Sequence, residues 1–194
     1  MASLVDEGEV AELVRQYGQP LRRQMELEIG VELFFSRFMR AGDRRGEVVA
    51  ALERPNGRLL LHRKAHYGAD TFRLPTGGIG HAETVLDALH REILEETGLE
   101  VTVQRFLAIL EYRLCFGELN LPFASYVFHV REAGGRLSSA GSEISGLREV
   151  LPAELPVVAQ ALRTIPGERG YWGRWRAVAH EIVWTVFDDT LTAS

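Results

Sequence analysis

The run from Leu74 to Leu99 constrains this chain most, because it writes a helix with both ends marked and an acidic face. Thr84 can N-cap that helix, with Asp87 three residues on in a box-like arrangement, and Gly98 stands where a left-handed C-cap belongs. At about 100° per residue Leu86, Leu89 and Ile93 form one apolar stripe, and Glu92, Glu95 and Glu96 cluster beside it. Like charges at three- and four-residue spacing destabilise a helix by about 0.2–0.5 kcal/mol per pair. Their place near the C-terminus also sets them against the helix dipole. A divalent cation would relieve both penalties, and Mg²⁺ prefers such oxygen ligands, completed by waters and phosphate oxygens. Arg91, one turn before Glu95, can pair with it or with Glu83 and fix the preceding loop against the helix. Gly77, Gly78 and Gly80 let that loop bend tightly and bring backbone close to a ligand.

Composition narrows the rest. With 194 residues, 46% hydrophobic and 25% charged, the chain has the make-up of one soluble globular domain with an appendage. A formal charge of −5 gives no overall reason to bind nucleic acid or an anionic membrane, so neither is an expected partner. The single cysteine, Cys115, can form no internal disulfide and no thiolate metal site, which leaves oxygen or imidazole ligands and suits a reducing cytoplasm. There is no stretch of about 20 apolar residues, and Met1 to Gly8 is acidic where a secretory signal is basic and then apolar, so an unprocessed chain is expected.

Residues from about 7 to 40 read as helical, with Val10, Leu13 and Val14 at helical spacing and a second run of Leu21, Met25, Leu33, Phe34 and Phe38 after Gly18 to Pro20. Past the polar break Ala41 to Gly46, Val48 to Leu52 and Leu59 to His62 flank a Pro55-Asn56-Gly57 turn as a hairpin. Strands near 101–113 and 121–130, a last strand at Leu147 to Leu151, and a helix opened by Pro152-Ala153-Glu154 complete a mixed α/β core. Trp172, Trp175, Ala179, Ile182, Val183 and Val186 mark a C-terminal amphipathic helix, whose aromatics, with Tyr171 and Trp184, are read as packing. The expected division is a helical N-terminal extension (1–45), a central domain (46–155) and C-terminal helices packed on the core (156–194).

Gly77, Glu83, Arg91-Glu92, Ile93, Glu95-Glu96, Gly98 and Leu99, at these intervals, resemble the Nudix box. Seven fixed identities match by chance on the order of 10⁻⁸ per window. The resemblance implies an α/β/α sandwich around a mixed sheet. It also implies a hydrolase that cleaves a phosphoanhydride in a nucleoside diphosphate linked to another moiety, with Mg²⁺ or Mn²⁺ on Glu92, Glu95 and Glu96. Arg91 would orient the glutamates, Glu83 would serve as its partner or an outer ligand, and the carbonyl of Thr76 or Gly77 could complete the coordination. Thr76 stands where glycine is common in the family. The general base is sought in the box or in Glu143, in the Gly/Ser-rich stretch from Gly134 to Gly146.

For the substrate, the basic and aromatic run His62 to Tyr67, with Phe72-Arg73, offers Arg63, Lys64, Tyr67 and Arg73 for phosphates and base stacking. His66, His81 and His90 lack paired ligand spacing and are read as surface or hydrogen-bonding residues. The N-terminal segment is similar in size to those of nucleotide-sugar or ADP-ribose hydrolases, and Phe34, Phe35 and Phe38 would suit a homodimer interface. The alternative is a silent Nudix domain that binds nucleotides as a sensor or regulator.

Overall fold

The computed structural model describes residues 5–40, 43–138 and 143–192, without the side chains of Arg40 and 188–192. Met1 to Leu4, and parts of the Ala41–Gly46 and Gly134–Gly146 stretches, lie outside the described residues. In chain order the elements are α1 (Glu7–Tyr17), β1 (Leu21–Glu28), α2 (Val31–Arg40), β2 (Arg44–Glu53), β3 (Leu59–Lys64) and β4 (Thr76–Gly80). Then follow α3 (Val85–Thr97), β5 (Leu99–Phe116), β6 (Leu119–Gly135), β7 (Ile144–Val150), α4 (Leu155–Arg163) and α5 (Arg169–Thr192), with a 3-10 turn at Pro152–Glu154 before α4.

A seven-stranded mixed sheet runs β1-β5-β6-β2-β3-β7, with β4 also paired to β2. Strand β2 lies at its centre and alternates strictly. Val48, Ala50 and Leu52 pack with Leu89, Ile93 and Phe106 on the α1/α3 face, while Val49 and Ala51 pack with Trp175, Leu162 and Val183 on the α2/α4/α5 face. Helices therefore cover both faces of the sheet, the expected α/β/α sandwich, and β2 reads as a continuous apolar run because both its faces are dry.

The helical reading of residues 7–40 holds for α1 and α2 and fails between them. Leu21 and Met25 satisfy a helical and an alternating period equally, but Leu27 and Ile29 continue the alternation. The segment forms β1, parallel to β5 from Leu21 opposite Ala108 to Glu28 opposite Cys115. Phe34 is core, 4% exposed, which removes it from any interface, whereas Phe35 and Phe38 are exposed. No described helix is long and apolar enough to cross a membrane.

Candidate active site

Helix α3 is written as expected. The Thr84 hydroxyl accepts from Asp87 N at 3.1 Å and donates to Asp87 Oδ2 at 2.7 Å, and Gly98, at φ 72°, closes the C-terminus with its N–H on Leu94 O. The three carboxylates line one side of the helix, as expected, but at different depths. Glu96 is buried on the inward stripe with Ala88, Leu89 and Ile93, Glu92 turns toward β4, and Glu95 stays exposed. Arg91 joins them. Its Nε and Nη2 donate to Glu83 at 2.7 and 3.0 Å, its Nη1 to Glu92 and Glu95 at 2.9 and 3.2 Å, and its Nη2 also to Gly78 O at 3.0 Å. The hydrogen bonds from Arg91 hold Glu83 below the usual carboxylate range, whereas burial raises Glu92 despite the same guanidinium. Glu92 Oε1 also accepts from Gly78 N at 3.1 Å. Gly77 makes that approach possible, since a Cβ there would stand 1.8 Å from Glu92 Cγ.

The neighbouring strand supplies the other wall. In β3 successive side chains alternate, so Leu60, His62 and Lys64 share one face. His62 Nδ1 lies 3.1 Å from Glu96 Oε2, and Lys64 Nζ lies 3.2 Å from Glu96 Oε1 and 2.8 Å from Glu143 Oε2. Burial pushes His62 down to about 4, so it is neutral near pH 7. Burial alone would raise Glu96, but His62, Arg73 and Lys64 outweigh it and keep the carboxylate ionised. Arg63 points the other way. Its donors go to Ser145 Oγ and O at 3.1 Å and to Ala69 O, and its guanidinium lies over Phe72, so the structure does not bring it to the site. Arg73, 3% exposed, reaches the cleft edge but spends donors on Tyr67 Oη and Leu74 O at 3.0 Å and on Thr76 Oγ1, which makes it a strut.

Glu92, Glu95, Glu96, Arg91, Lys64 and Glu143 open onto one cleft of about 580 Å³, with His62 buried behind Glu96. Its far wall comes from α2 and α5, with Leu33, Ser36 and Arg37 from the first and Trp172 and Arg176 from the second. Trp172 packs against the core, as its spacing suggested, and also lines the cleft; its ring centroid is 4.7 Å from that of Tyr67. Trp175, one position inside the expected stripe, is core at 2% exposure. At the floor Arg176 Nη1 donates to both oxygens of Glu47, at 2.7 and 2.8 Å, and Ser125 Oγ donates to Glu47 Oε1 at 2.8 Å. Helix α5 also positions the box loop, because buried His180 Nε2 accepts from Leu74 N at 3.0 Å while its Nδ1 bonds Arg176 O. The sequence reading missed His62, Glu47 and Arg176. For His62 the alternation in β3 was a usable signal, whereas the Glu47–Arg176 pair spans 129 positions and left none.

Residues 43–174 match the NUDIX domain family. The chain belongs to the Nudix family. A Bacillus subtilis (strain 168) protein named "Putative 8-oxo-dGTP diphosphatase" is 28% identical over 149 residues, 77% of this chain and 91% of that protein. The crystal structure of a UDP-X diphosphatase superposes with a TM-score of 0.52 at 20% identity, covering 96% of this chain and 73% of that one. A NUDIX hydrolase from Nitrosomonas europaea gives 0.52 at 18% identity, covering 70% and 85%. Both solved structures share the Nudix fold. The chain is a Nudix-type hydrolase acting on phosphoanhydride bonds, and Nudix hydrolases generally need a divalent metal.

The residues present fit such an ion. Both carboxylate oxygens of Glu96 are buried and, although His62 and Lys64 stand 3.1 and 3.2 Å away, neither oxygen accepts a hydrogen bond of good geometry among the described residues, while burial raises Glu92 despite Arg91. The Gly77 cradle holds backbone and Glu92 together. Among the described residues no three acidic, histidine or cysteine side chains are gathered closely enough to hold an ion by themselves; an ion on Glu92 and Glu96 would need further ligands, and Mg²⁺ takes these as waters and phosphate oxygens.

Proposed function

We propose that this Nudix chain is a Mg²⁺- or Mn²⁺-dependent pyrophosphohydrolase that cleaves the phosphoanhydride of a nucleoside diphosphate linked to another moiety, with ADP-ribose or a nucleotide sugar favoured. One observation carries the reading. The box carboxylates, a lysine and arginines, and an aromatic pair all line a single cleft of about 580 Å³. That volume suits a ligand of nucleotide size with separate polar and flat parts.

In this reading Glu92, Glu95 and Glu96, with the carbonyl of Thr76 or Gly77, hold the ion. When bound it neutralises charge developing on the phosphoryl oxygens and acidifies water for attack. Arg91, through its bonds to Glu83, Glu92 and Glu95, positions those carboxylates. Glu143, which the hydrogen bond from Lys64 keeps ionised, takes the proton as the oxygen of a water attacks phosphorus and the bridging oxygen leaves with the other phosphate. Lys64 steadies Glu96 and Glu143 and offers its charge to a phosphate. Tyr67 and Trp172 supply the stacking surface. We place the reaction in the cytoplasm, where the lone Cys115 stays reduced, and the exposed Phe35 and Phe38 would face a second copy if the chain dimerises.

The Bacillus subtilis relative favours a second reading, hydrolysis of an oxidised nucleoside triphosphate by the same groups. The test is product chromatography after incubation with ADP-ribose, nucleotide sugars, dinucleoside polyphosphates and nucleoside triphosphates, including the 8-oxo form, with Mg²⁺ and then Mn²⁺. Turnover of a diphosphate-linked substrate to a nucleoside monophosphate, abolished in Glu96→Gln, supports the first reading. Selective turnover of a triphosphate supports the second, and nucleotide binding without turnover of any of them moves the assignment to a sensor.

A further inference from the structure

Helix α1 precedes residues 43–174, the part of the chain that matches the family, and still reaches the box. Asp6 caps α1, its Oδ1 accepting from Gly8 N and Glu9 N at 2.9 and 3.1 Å, and Val10 and Leu13 pack in the same apolar cluster as Val85, Ala88 and Leu89 of α3. From that anchored turn Glu9 reaches the entry of α3. Its Oε1 accepts from Val85 N at 2.6 Å, and its Oε2 accepts from Arg45 Nη2 at 2.7 Å. The same Arg45 nitrogen donates to Glu83 O at 2.9 Å. Glu9 and Arg45 thus close a clamp on residues 83–85, where the box loop turns into the helix.

The clamp completes the cap of α3. The first N–H groups of a helix have no partner inside it. Thr84 satisfies Asp87 N, and Glu9 satisfies Val85 N from a different element. A carboxylate is the favoured group at that end, where the helix dipole is positive. The side chains of Glu9 and Arg45 are 20% and 15% exposed, so salt and water screen the pair little. From Glu83 the contacts run on to the box carboxylates. Its side chain accepts from Gly80 N at 3.1 Å and from Arg91, and Arg91 holds Glu92, Glu95 and Gly78 O. A displacement of residues 83–85 is therefore passed through one guanidinium to two of the carboxylates, although Glu9 itself does not line the cleft.

We propose that Glu9 is a positioning residue for the hydrolase site: with Arg45 it fixes where α3 starts against β4, and so the placement of Glu92 and Glu95 for the ion. Helix α1 then serves the box from outside the matched domain. The proposal rests on the metal-dependent reading and deepens it. Groups that orient metal ligands typically change metal affinity about 10–100-fold when removed, and Glu9, one contact further out, belongs at the low end of that range.

The test measures Mn²⁺ binding to the full chain without nucleotide, from the free-ion electron paramagnetic resonance signal, beside thermal melts and steady-state turnover at saturating Mn²⁺. Glu9→Ala should weaken Mn²⁺ about tenfold and lower kcat about tenfold, with KM within about twofold of wild type. Glu9→Gln keeps an acceptor for Val85 N and loses the ion pair, so its losses should be roughly threefold. Glu7→Gln is the control, since Glu7 ties α1 to Arg22 of β1 at 2.6 and 3.0 Å with no hydrogen bond to residues 77–99 among those described. It should bind Mn²⁺ and turn over as wild type does, whatever its melting temperature. If Glu9→Ala fails to fold, Glu9→Gln against Glu7→Gln decides. Glu9 variants with wild-type Mn²⁺ affinity and kcat, or equal losses at Glu9 and Glu7, would overturn the positioning role alone. A wild type that binds Mn²⁺ but hydrolyses no phosphoanhydride would overturn the reaction proposed above, with the Mn²⁺ series still deciding Glu9, and a wild type that binds no Mn²⁺ would overturn both.

Discussion

Replacing Gly77 by alanine tests the geometry of the box most directly. The new Cβ would stand 1.8 Å from Glu92 Cγ and 1.9 Å from Cδ, whereas ordinary contact begins near 3.4 Å. Glu92 must therefore retreat by about 1.6 Å, since packed interiors leave little slack elsewhere. That retreat breaks its bonds from Gly78 N at 3.1 Å and from Arg91 Nη1 at 2.9 Å. Hydrogen bonds to a charged group contribute about 1.5–3 kcal/mol each. Some of this returns as Glu92, 17% exposed, swings toward water, so the net loss should be about 3 kcal/mol. For a chain of this length that corresponds to a fall in Tm of about 6–12 °C. Urea and thermal melts on Gly77→Ala, Glu92→Ala and the double variant measure it. Truncating Glu92 removes the atoms that collide, so the double variant should be about as stable as Glu92→Ala alone, although all three lose turnover. Strictly additive losses would refute the steric argument, as would a Gly77→Ala protein with unchanged stability.

Other expectations follow from single contacts. Burial holds His180 at about 4, below its ordinary 6.5, so the unfolded chain takes up the proton first; stability is complete above pH 6.5 and is lost as pH falls toward 4, by up to about 3 kcal/mol. The urea midpoint should fall through that window and fall less steeply in His180→Leu; a flat wild-type profile would contradict this. Arg176→Met leaves Glu47, 5% exposed, without its partner, and should cost about 3–5 kcal/mol at neutral pH. Adding Glu47→Gln should recover part of it in the same denaturation series. Arg63→Ala frees the loops that it ties through Ser145 and Ala69 but faces away from the cleft, so it should lower Tm slightly and leave kcat/KM within about twofold, whereas Lys64→Met should lower kcat/KM at least tenfold.

Much of the candidate site was legible in the amino-acid sequence because it is local. The Thr84 and Gly98 caps, the glycine loop and the Arg91 hub lie within 23 consecutive positions, 77–99, and their spacing alone encodes who meets whom. What stayed hidden is long-range. The Glu47–Arg176 pair, the His180 support of Leu74, and the Leu33–Arg37 wall depend on which face of which distant helix docks. The strand β1 was misread for a different reason, since Leu21 and Met25 fit two periods and the deciding residues, Leu27 and Ile29, lie at its end. Trp172 and Trp175 show the limit of spacing as evidence. One turn of helix separates a cleft wall from the core, and the pattern that identifies the helix does not say where its burial stops.

The chemistry of the basic residues gives Lys64 one more property. Every other cationic side chain apart from histidine is a guanidinium, so this is the sole lysine amine on the whole chain, and it stands inside the cleft with 18% of its side chain exposed. An amine-directed reagent has only that side chain and the chain's α-amino group to find. The fraction labelled at Lys64, read by peptide mass, therefore reports how full the cleft is, which turns an arginine-rich composition into a built-in occupancy gauge.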